Sequence, residues 1–246
     1  MSGHSKWANI KNKKAKTDAA KGKIFTKIGR EIAVAAKAGT DPSTNSKLAD
    51  VIAKAKAANM PNDNIKRSIM KAAGELSNVN YETLVYEGYG IGGSAVILNT
   101  LTENKNRTVG DVRHIFDKYG GSMGTTGSVS FMFNNLGILV IERTVELDED
   151  AVMELALDAG ADDVIIEDDV YEIRTAPSAF SAVRTYFEER GHSFIEASIQ
   201  MVPNDKITLN ADQLVSFNKM LDAFEDNDDI QDIYHNVELP EEDDDE

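Results

Sequence analysis

Residues 81–100 read YETLVYEGYGIGGSAVILNT, two β-branched and aromatic runs separated by glycines. Gly88, Gly90 and Gly93 match the G-x-G-x-x-G spacing of dinucleotide-binding proteins. That fingerprint requires the glycines to open a helix, whereas Ser94 to Thr100 has the composition of a second strand. We therefore predict a glycine-rich β-hairpin, whose missing side chains allow a partner to approach the backbone closely.

Upstream of the hairpin, apolar residues recur at helical spacing in three stretches. The first contains Phe25, Ile28, Ile32 and Ala35 and ends at Gly39. The second contains Leu48, Val51, Ile52 and Ala55 and is closed by Met60-Pro61, and the third runs from about 62 to 74. Each helix is short and marginal alone, so the three are predicted to pack as one bundle.

Downstream, helices and strands alternate. A helix is predicted at 107–119 and a strand at 129–133. Residues 136–203 follow the order strand, helix, two strands, helix, strand, which is typical of the ferredoxin-like fold. The six elements are predicted at 137–142, 149–159, 163–167, 170–174, 178–190 and 197–202.

Three further elements near the C-terminus are too few to close a core: a strand near Ile207, a helix at 211–224 and a strand at 229–235. Joined to residues 81–134, they complete a second α/β sandwich, so the ferredoxin-like unit is predicted to be inserted within it. The alternative is two sequential α/β domains with a C-terminal appendage.

The expected fold class is therefore multidomain α+β, an N-terminal helical bundle followed by two α/β-sandwich, ferredoxin-like domains, one inserted in the other. The expected parts are a basic helical domain at 1–78, a discontinuous α/β domain at 79–135 plus 204–238, an inserted ferredoxin-like domain at 136–203, and an acidic disordered tail at 239–246.

Charge divides the chain into a basic head, residues 1–75, and an acidic body, residues 76–246. The head carries sixteen Lys and Arg against six Asp and Glu, and the body ten against thirty-six, so their net charges are +10 and −26. The whole-chain pI of about 4.7 conceals this division. A basic segment of this density favours a polyanionic partner, because each neutralised phosphate releases condensed counterions.

The predicted nucleic-acid-binding residues lie in the first thirty positions. They are Lys6, Trp7, Lys11, Lys13, Lys14, Lys16, Lys21, Lys23, Lys27 and Arg30. Phosphate contacts of this kind give affinity without sequence specificity. Trp7 is the only tryptophan, and it serves either as a stacking platform for a base or as a plug into a neighbouring helix. The alternative for the whole run is a solvated basic arm.

A second basic cluster, Lys105, Arg107 and Arg113, lies in the acidic body. With the glycines of the hairpin, Gly88, Gly90 and Gly93, it forms either a second polyanion contact or ordinary surface decoration. Asn106 or Thr108 is expected to cap the helix that begins there.

Several classes of protein are not expected. The chain has no cysteine, its four histidines are scattered, and no nucleophile elbow or P-loop occurs, so no metal, cofactor, catalytic residue or small-molecule substrate is predicted. Residues 1–30 lack the apolar core of a signal peptide, and no apolar run approaches membrane-spanning length. A cytoplasmic location is therefore expected, without a membrane partner.

Several segments, in order and at comparable spacing, resemble the YebC family, which is related to mitochondrial translational activators of cytochrome oxidase. They are Gly3-His4-Ser5-Lys6-Trp7, Gly22-Lys23-Ile24-Phe25-Thr26-Lys27, Tyr86-Glu87-Gly88-Tyr89-Gly90, Asn106-Arg107-Thr108, Gly127-Ser128-Val129 and Tyr234-His235-Asn236. One departure is Ile91, where the family usually has proline.

The resemblance implies three domains and a cytoplasmic regulator without known catalysis. Some family members are described as DNA-binding transcriptional regulators and others as ribosome-associated factors that assist translation. We expect a non-enzymatic regulator of gene expression that binds phosphate backbone, with ribosomal RNA within the ribosome preferred as the partner. Duplex DNA is the alternative, and a nucleotide-dependent enzyme anchored on the hairpin is a remote third.

Overall fold

The computed structural model describes residues 18–73, 80–144 and 147–240. It begins with the three predicted helices: α1, Asp18–Ala36; α2, Ser46–Ala57; and α3, Asn62–Ala73. Asn45 caps α2, its side chain accepting a hydrogen bond from the Leu48 amide at 3.1 Å. The apolar faces of the helices meet in a small core of Ile28, Ile32, Ala35, Ala36, Leu48, Ala55, Met60 and Ile65. The predicted bundle is therefore confirmed.

The glycine-rich stretch is a hairpin, as predicted. Strands β1, Glu82–Tyr89, and β2, Ala95–Thr102, pair antiparallel in continuous register. One 3₁₀ turn, Ile91–Gly93, joins them, and Gly92 and Gly93 have φ of 69° and 79°. A strand, β2, follows these glycines. A dinucleotide-binding site requires an α-helix to begin at this point instead.

The first sheet has the strand order β3-β1-β2-β8. Its remaining members are β3, Ser122–Met123, and β8, Ile230–His235, the latter antiparallel to β2. Helices α4, Lys105–Lys118, and α7, Ala211–Glu225, are the two helices of this layer. Their buried aromatic residues pack against the sheet and form its core. The rings of Phe116 and Phe224 meet edge to face, with 5.0 Å between their centroids.

The second sheet lies between these segments in sequence and has the order β5-β6-β4-β7, antiparallel throughout. Its elements are β4, Phe133–Glu142; α5, Glu149–Ala159; β5, Asp163–Ile166; β6, Val170–Thr175; α6, Phe180–Glu188; and β7, Glu196–Pro203. In this arrangement β6 separates β4 from β5, and β4 separates β6 from β7. That interleaving is the ferredoxin-like topology expected from the order of elements.

The structure corrects several local predictions. Val129 to Phe133 is not a strand: Ser130–Met132 forms a short 3₁₀ helix, and β4 begins at Phe133. Near Ile207 there is only a single parallel bridge, to Val237. Leu239, the first residue of the expected acidic tail, packs partly buried against the first sheet's core. Residues 241–246 of that tail lie outside the described residues.

The C-terminal strand β8 thus belongs to the sheet that β1 and β2 begin. This pairing is the one that an inserted second domain requires, although the domain boundaries themselves remain a prediction. The two sheets also contact one another: Ala95 and Ile97 of β2 and Phe133 of β4 share an apolar cluster with Met201 and Tyr234. No helix among the described residues combines the length and apolarity needed to cross a membrane.

Candidate nucleic-acid interface

The ten residues predicted to bind nucleic acid divide into two groups. Lys6, Trp7, Lys11, Lys13, Lys14 and Lys16 lie outside the described residues. The other four, Lys21, Lys23, Lys27 and Arg30, lie on α1. The described part of the predicted site is therefore α1, together with the elements that it contacts.

Two lysines of α1 contact the acidic end of α7. Lys23 Nζ lies 2.6 Å from the Asp226 carboxylate, and this hydrogen bond raises the pKa of Lys23. Lys27 Nζ donates to the Glu225 carbonyl oxygen at 3.0 Å. Burial lowers the pKa of Lys27, although the charges of nearby carboxylates partly compensate. Both lysines are thus engaged by the body of the same molecule.

Arg30 reaches further into the body. Its Nη1 donates to Asp229 Oδ1 at 2.9 Å and to the Asp228 carbonyl oxygen at 2.7 Å. On the opposite side, Arg107 Nη2 of α4 donates to Asp229 Oδ2 at 2.7 Å. Asp229 is only 3% exposed, so a buried carboxylate joins one arginine of the head to one of the body.

Two threonine hydroxyls complete the environment of Asp229. Thr108 Oγ1 and Thr102 Oγ1 lie 2.9 and 3.1 Å from its Oδ2. Burial would raise the pKa of Asp229, but the hydrogen bonds from both arginines and both threonines outweigh it and hold the pKa below its ordinary value. Asp229 is therefore held in its charged form where head and body meet.

Two more contacts fasten the head to the body. Lys54 of α2 lies 2.9 Å from Glu31 and 3.4 Å from Asp232 of β8. Burial would lower the pKa of Lys54, but these two carboxylates outweigh it and raise the pKa. On the other side, Asp50 of α2 accepts hydrogen bonds from Arg184 at 2.6 Å and from Ser181 at 2.8 Å, both on α6.

The head also has cations that the body does not engage. Lys66, Arg67 and Lys71 of α3 are exposed, and none of them pairs with a carboxylate in the part of the chain that the structure describes. Ile65 and Ile69 face the bundle core; at 3.6 residues per turn Arg67 and Lys71 lie on the side of α3 away from them, and Lys66 lies on its flank. The sequence prediction did not include these three residues, because it was based on the greater lysine density before residue 30.

The predicted second contact is only partly assembled. Arg107 is paired with Asp229, while Lys105 and Arg113 are exposed on α4. Asn104, rather than the expected Asn106 or Thr108, caps α4, accepting from the Arg107 amide at 3.1 Å.

Gly88 and Gly90 serve the protein's own packing. A Cβ on Gly88 would lie 2.6 Å from the Ser122 carbonyl oxygen and 2.8 Å from the Phe116 ring. A Cβ on Gly90 would lie 2.5 Å from Ser94 Oγ. Only Gly93 has open space, at a positive φ of 79°. The close approach that glycine permits is made at Gly88 by β3 and α4, and at Gly90 by Ser94 and by Met220 of α7.

Glu87 was not singled out from the sequence and proves central to the hairpin. Its buried carboxylate accepts hydrogen bonds from the amides of Gly127, Val129 and Ser130, each at 2.8 Å. Burial would raise the pKa of Glu87, but these amides outweigh it and lower the pKa. One carboxylate thus brings together two of the segments, 86–90 and 127–129, that carried the family resemblance.

Over 18–73, 80–144 and 147–240, no group of three or more His, Asp or Glu side chains is placed to hold a metal ion. Asp229 and Glu87 are the buried carboxylates with lowered pKa, and each is saturated by hydrogen bonds within the protein. Both are suited to holding structure together rather than to proton transfer.

Comparisons with known proteins cover head and body. Residues 5–75 match the family described as "TACO1/YebC protein N-terminal domain", and residues 81–237 match "TACO1/YebC second and third domain". A probable transcriptional regulatory protein of Acetivibrio thermocellus is 59% identical over 238 residues, 96% of this chain and 98% of that protein. Another, from Clostridium novyi, is 56% identical over 98% of this chain and 99% of its own length.

A solved structure extends the similarity to the fold. The crystal structure of a conserved hypothetical protein from Aquifex aeolicus superposes with a TM-score of 0.80 at 38% sequence identity. The superposition covers 94% of this chain and 96% of the other.

Proposed function

The chain belongs to the TACO1/YebC family, and on that basis we propose that it regulates gene expression by binding nucleic acid through its basic head. Relatives that match nearly its full length are named probable transcriptional regulatory proteins. The proposal includes no catalytic step, no cofactor and no small-molecule substrate, and it places the protein in the cytoplasm.

The separation of charge is the observation that carries this proposal. A head of +10 and a body of −26 orient the molecule toward a polyanion, because the body repels what the head attracts. The contacts of α1 with Asp226 and Asp229 add a structural argument: they fix the orientation of the head on the body. Among the described cations of the head, Lys66, Arg67 and Lys71 remain exposed to solvent.

We favour RNA within the ribosome as the partner. Fourteen of the sixteen cations in the head are lysine, whereas the commonest base-specific contact in duplex DNA is a bidentate arginine on guanine. Lysine ammonium groups bind phosphate as point charges and do not distinguish sequences. A ribosome-associated factor needs to recognise the shape and charge of folded RNA rather than a specific base sequence.

Transcriptional regulation through duplex DNA is the second candidate, and the printed names of the relatives favour it. It requires discrimination between a promoter fragment and bulk DNA. A gel shift at low salt that separates the two by less than a few fold would exclude it.

A nucleotide-dependent enzyme is the remote third candidate. Its anchor is the glycine-rich hairpin, where packing already occupies the space at Gly88 and Gly90. Nucleotide that leaves the melting temperature unchanged would remove this anchor, since a ligand that binds only the folded state raises stability by mass action.

The direct test is co-sedimentation of the intact protein with ribosomes across a salt series, beside the variant Lys11→Glu/Lys13→Glu/Lys14→Glu. We expect saturable binding that weakens with salt and is lost in the variant. Absence of binding at low salt would exclude the ribosome and return the search to promoter DNA.

A further inference from the structure

An open cleft of about 240 Å³ lies between α1 and α3 of the head. Phe25, Thr26, Met60, Asn64, Arg67 and Ser68 line it. Pockets for cofactors and drug-sized ligands enclose about 300–1,000 Å³, so this cleft suits a single ring rather than a dinucleotide. An aromatic ring, a guanidinium and an amide are the groups that proteins use to recognise an unstacked nucleobase.

Cations and an apolar side chain lie beside the cleft. Arg67 lines it, and Lys71 is exposed four residues further along the same side of α3. Lys66 lies about 140° around the helix from Lys71, and Met70 between the two lysines is 67% exposed. On α1, Ile24 is 41% exposed beside Phe25. At about 1.5 Å rise per residue, the two lysines are separated by about 7.5 Å along the helix. The surface thus combines phosphate-binding cations with an adjacent place for a base.

We propose that the outer face of α3 and this cleft bind single-stranded nucleic acid. Its phosphates lie against Lys66, Arg67 and Lys71, and one base enters the cleft against Phe25. This inference rests on the proposed function and deepens it, because it assigns the contact to residues that the sequence prediction had passed over.

Charge places the partner on α3 rather than on α1. Among the described cations of the head, Lys23, Lys27 and Arg30 are occupied by the body, and Lys54 lies between Glu31 and Asp232. Within the described residues the three α3 cations carry no such engagement, nor do Lys47 and Lys56 of α2, which do not border the cleft. A polyanion therefore gains charge neutralisation at α3 without first breaking contacts between head and body.

The cleft favours a single strand over a duplex. A base within a duplex is paired on its edge and stacked on both faces, and entering the cleft would require it to be flipped out. An unpaired base meets no such cost, and stacking on an aromatic side chain stabilises it whatever its identity. The expected ligand is therefore single-stranded RNA or DNA with little sequence preference.

The first arm of the test concerns charge. Binding of the full-length protein to oligouridylate is measured for Lys66→Glu/Lys71→Glu and for the matched control Lys206→Glu/Lys219→Glu, whose lysines are exposed on the body. We expect the α3 variant to bind about tenfold or more weakly and the control to change by less than about twofold. Equal effects of the two variants would overturn the assignment to α3.

The second arm concerns the base. Oligouridylate is compared with an abasic oligomer of the same length and charge, and with duplex DNA. We expect the wild type to prefer oligouridylate by about fivefold or more, and Phe25→Leu, which keeps an apolar side chain but removes the ring, to lose that preference. Equal binding of the abasic oligomer, or preference for the duplex, would overturn a base in the cleft.

Two controls separate the remaining explanations. If the wild type binds none of the three probes at low salt, the proposed function itself fails, whereas binding that is insensitive to the α3 variant rejects only this inference. Trp7 is the sole tryptophan, so emission excited selectively at tryptophan reports it alone. A shift of that emission in Phe25→Leu without ligand would assign the cleft to Trp7 of the same chain and overturn the proposal.

Discussion

Arg30 of the head donates a hydrogen bond to Asp229 of the body, with 2.9 Å between Nη1 and Oδ1. The same carboxylate accepts from Arg107 at 2.7 Å through its other oxygen. A residue near the end of the chain thus binds the first described helix and α4 at once. Because Asp229 is almost fully buried, this connection is protected from solvent and sets how the head lies on the body.

Replacing Asp229 with Asn is expected to destabilise the protein by about 2–3 kcal/mol, because hydrogen bonds between charged groups are replaced by weaker ones and two arginines lose their counter-charge. Urea unfolding at neutral pH measures the change. Asp228→Asn is the matched control, since Asp228 is exposed and contacts Arg30 only through its carbonyl oxygen. Its effect should stay within about 0.5 kcal/mol.

The same carboxylate predicts a loss of stability in acid. The folded-state pKa of Asp229 is below the ordinary value of 3.8, so the unfolded chain binds more protons in the interval between them. The stabilisation is present above that ordinary value and is lost as pH falls through the folded pKa. Unfolding free energies from about pH 5 to about pH 3 should therefore fall more steeply for the wild type than for Asp229→Asn. Equal slopes would contradict this account.

Glu87→Gln tests the clamp on the segment after β3. An amide side chain keeps one acceptor oxygen but places an N–H₂ group against backbone donors, so we expect a loss of about 1.5–3 kcal/mol. Hydrogen exchange should accelerate at the amides of Gly127, Val129 and Ser130, which the carboxylate now binds. Glu82→Gln, exposed on the same strand, serves as the control, and protection unchanged in both variants would show that the clamp is unimportant.

Glycine packing yields a pair of opposite predictions. Gly88→Ala places a Cβ against the Ser122 backbone and the Phe116 ring, and we expect destabilisation of about 1–3 kcal/mol. Gly110→Ala lies within α4 with nothing within 4 Å, and we expect stabilisation of about 0.5–1 kcal/mol from helix propensity. Thermal unfolding of both variants checks the signs. A neutral Gly88→Ala would mean that β3 is free to move away.

Local periodicity is why so much of the fold could be predicted from the sequence. The helix at Glu149–Ala159 has the predicted limits, and the hairpin follows from β-branched runs separated by glycine. The alternation of elements from residue 136 to 203 indicated a ferredoxin-like sheet, because that order closes a two-layer core. The error at Val129 to Phe133 has a cause that is distant in sequence: Glu87, 42 positions before Val129, holds the amides of Val129 and Ser130, so they do not enter a sheet ladder.

The contacts between head and body were beyond sequence reasoning for a different reason. Arg30 and Asp229 are 199 positions apart, and no local pattern distinguishes either from its charged neighbours. Lysine density predicted a nucleic-acid contact on α1, but the body engages Lys23 and Lys27 of that helix. Which cations remain available depends on the packing of the head against α7 and β8, and that packing is a tertiary property.

Salt dependence of single-stranded RNA binding by the intact protein is the most direct test of whether the basic head binds phosphate backbone. We expect log affinity to fall linearly with log salt concentration, and Lys11→Glu/Lys13→Glu/Lys14→Glu to reduce both the affinity and the slope, because fewer phosphates are neutralised. Binding that is independent of salt, or unchanged in the variant, would contradict a basic head acting on phosphate backbone.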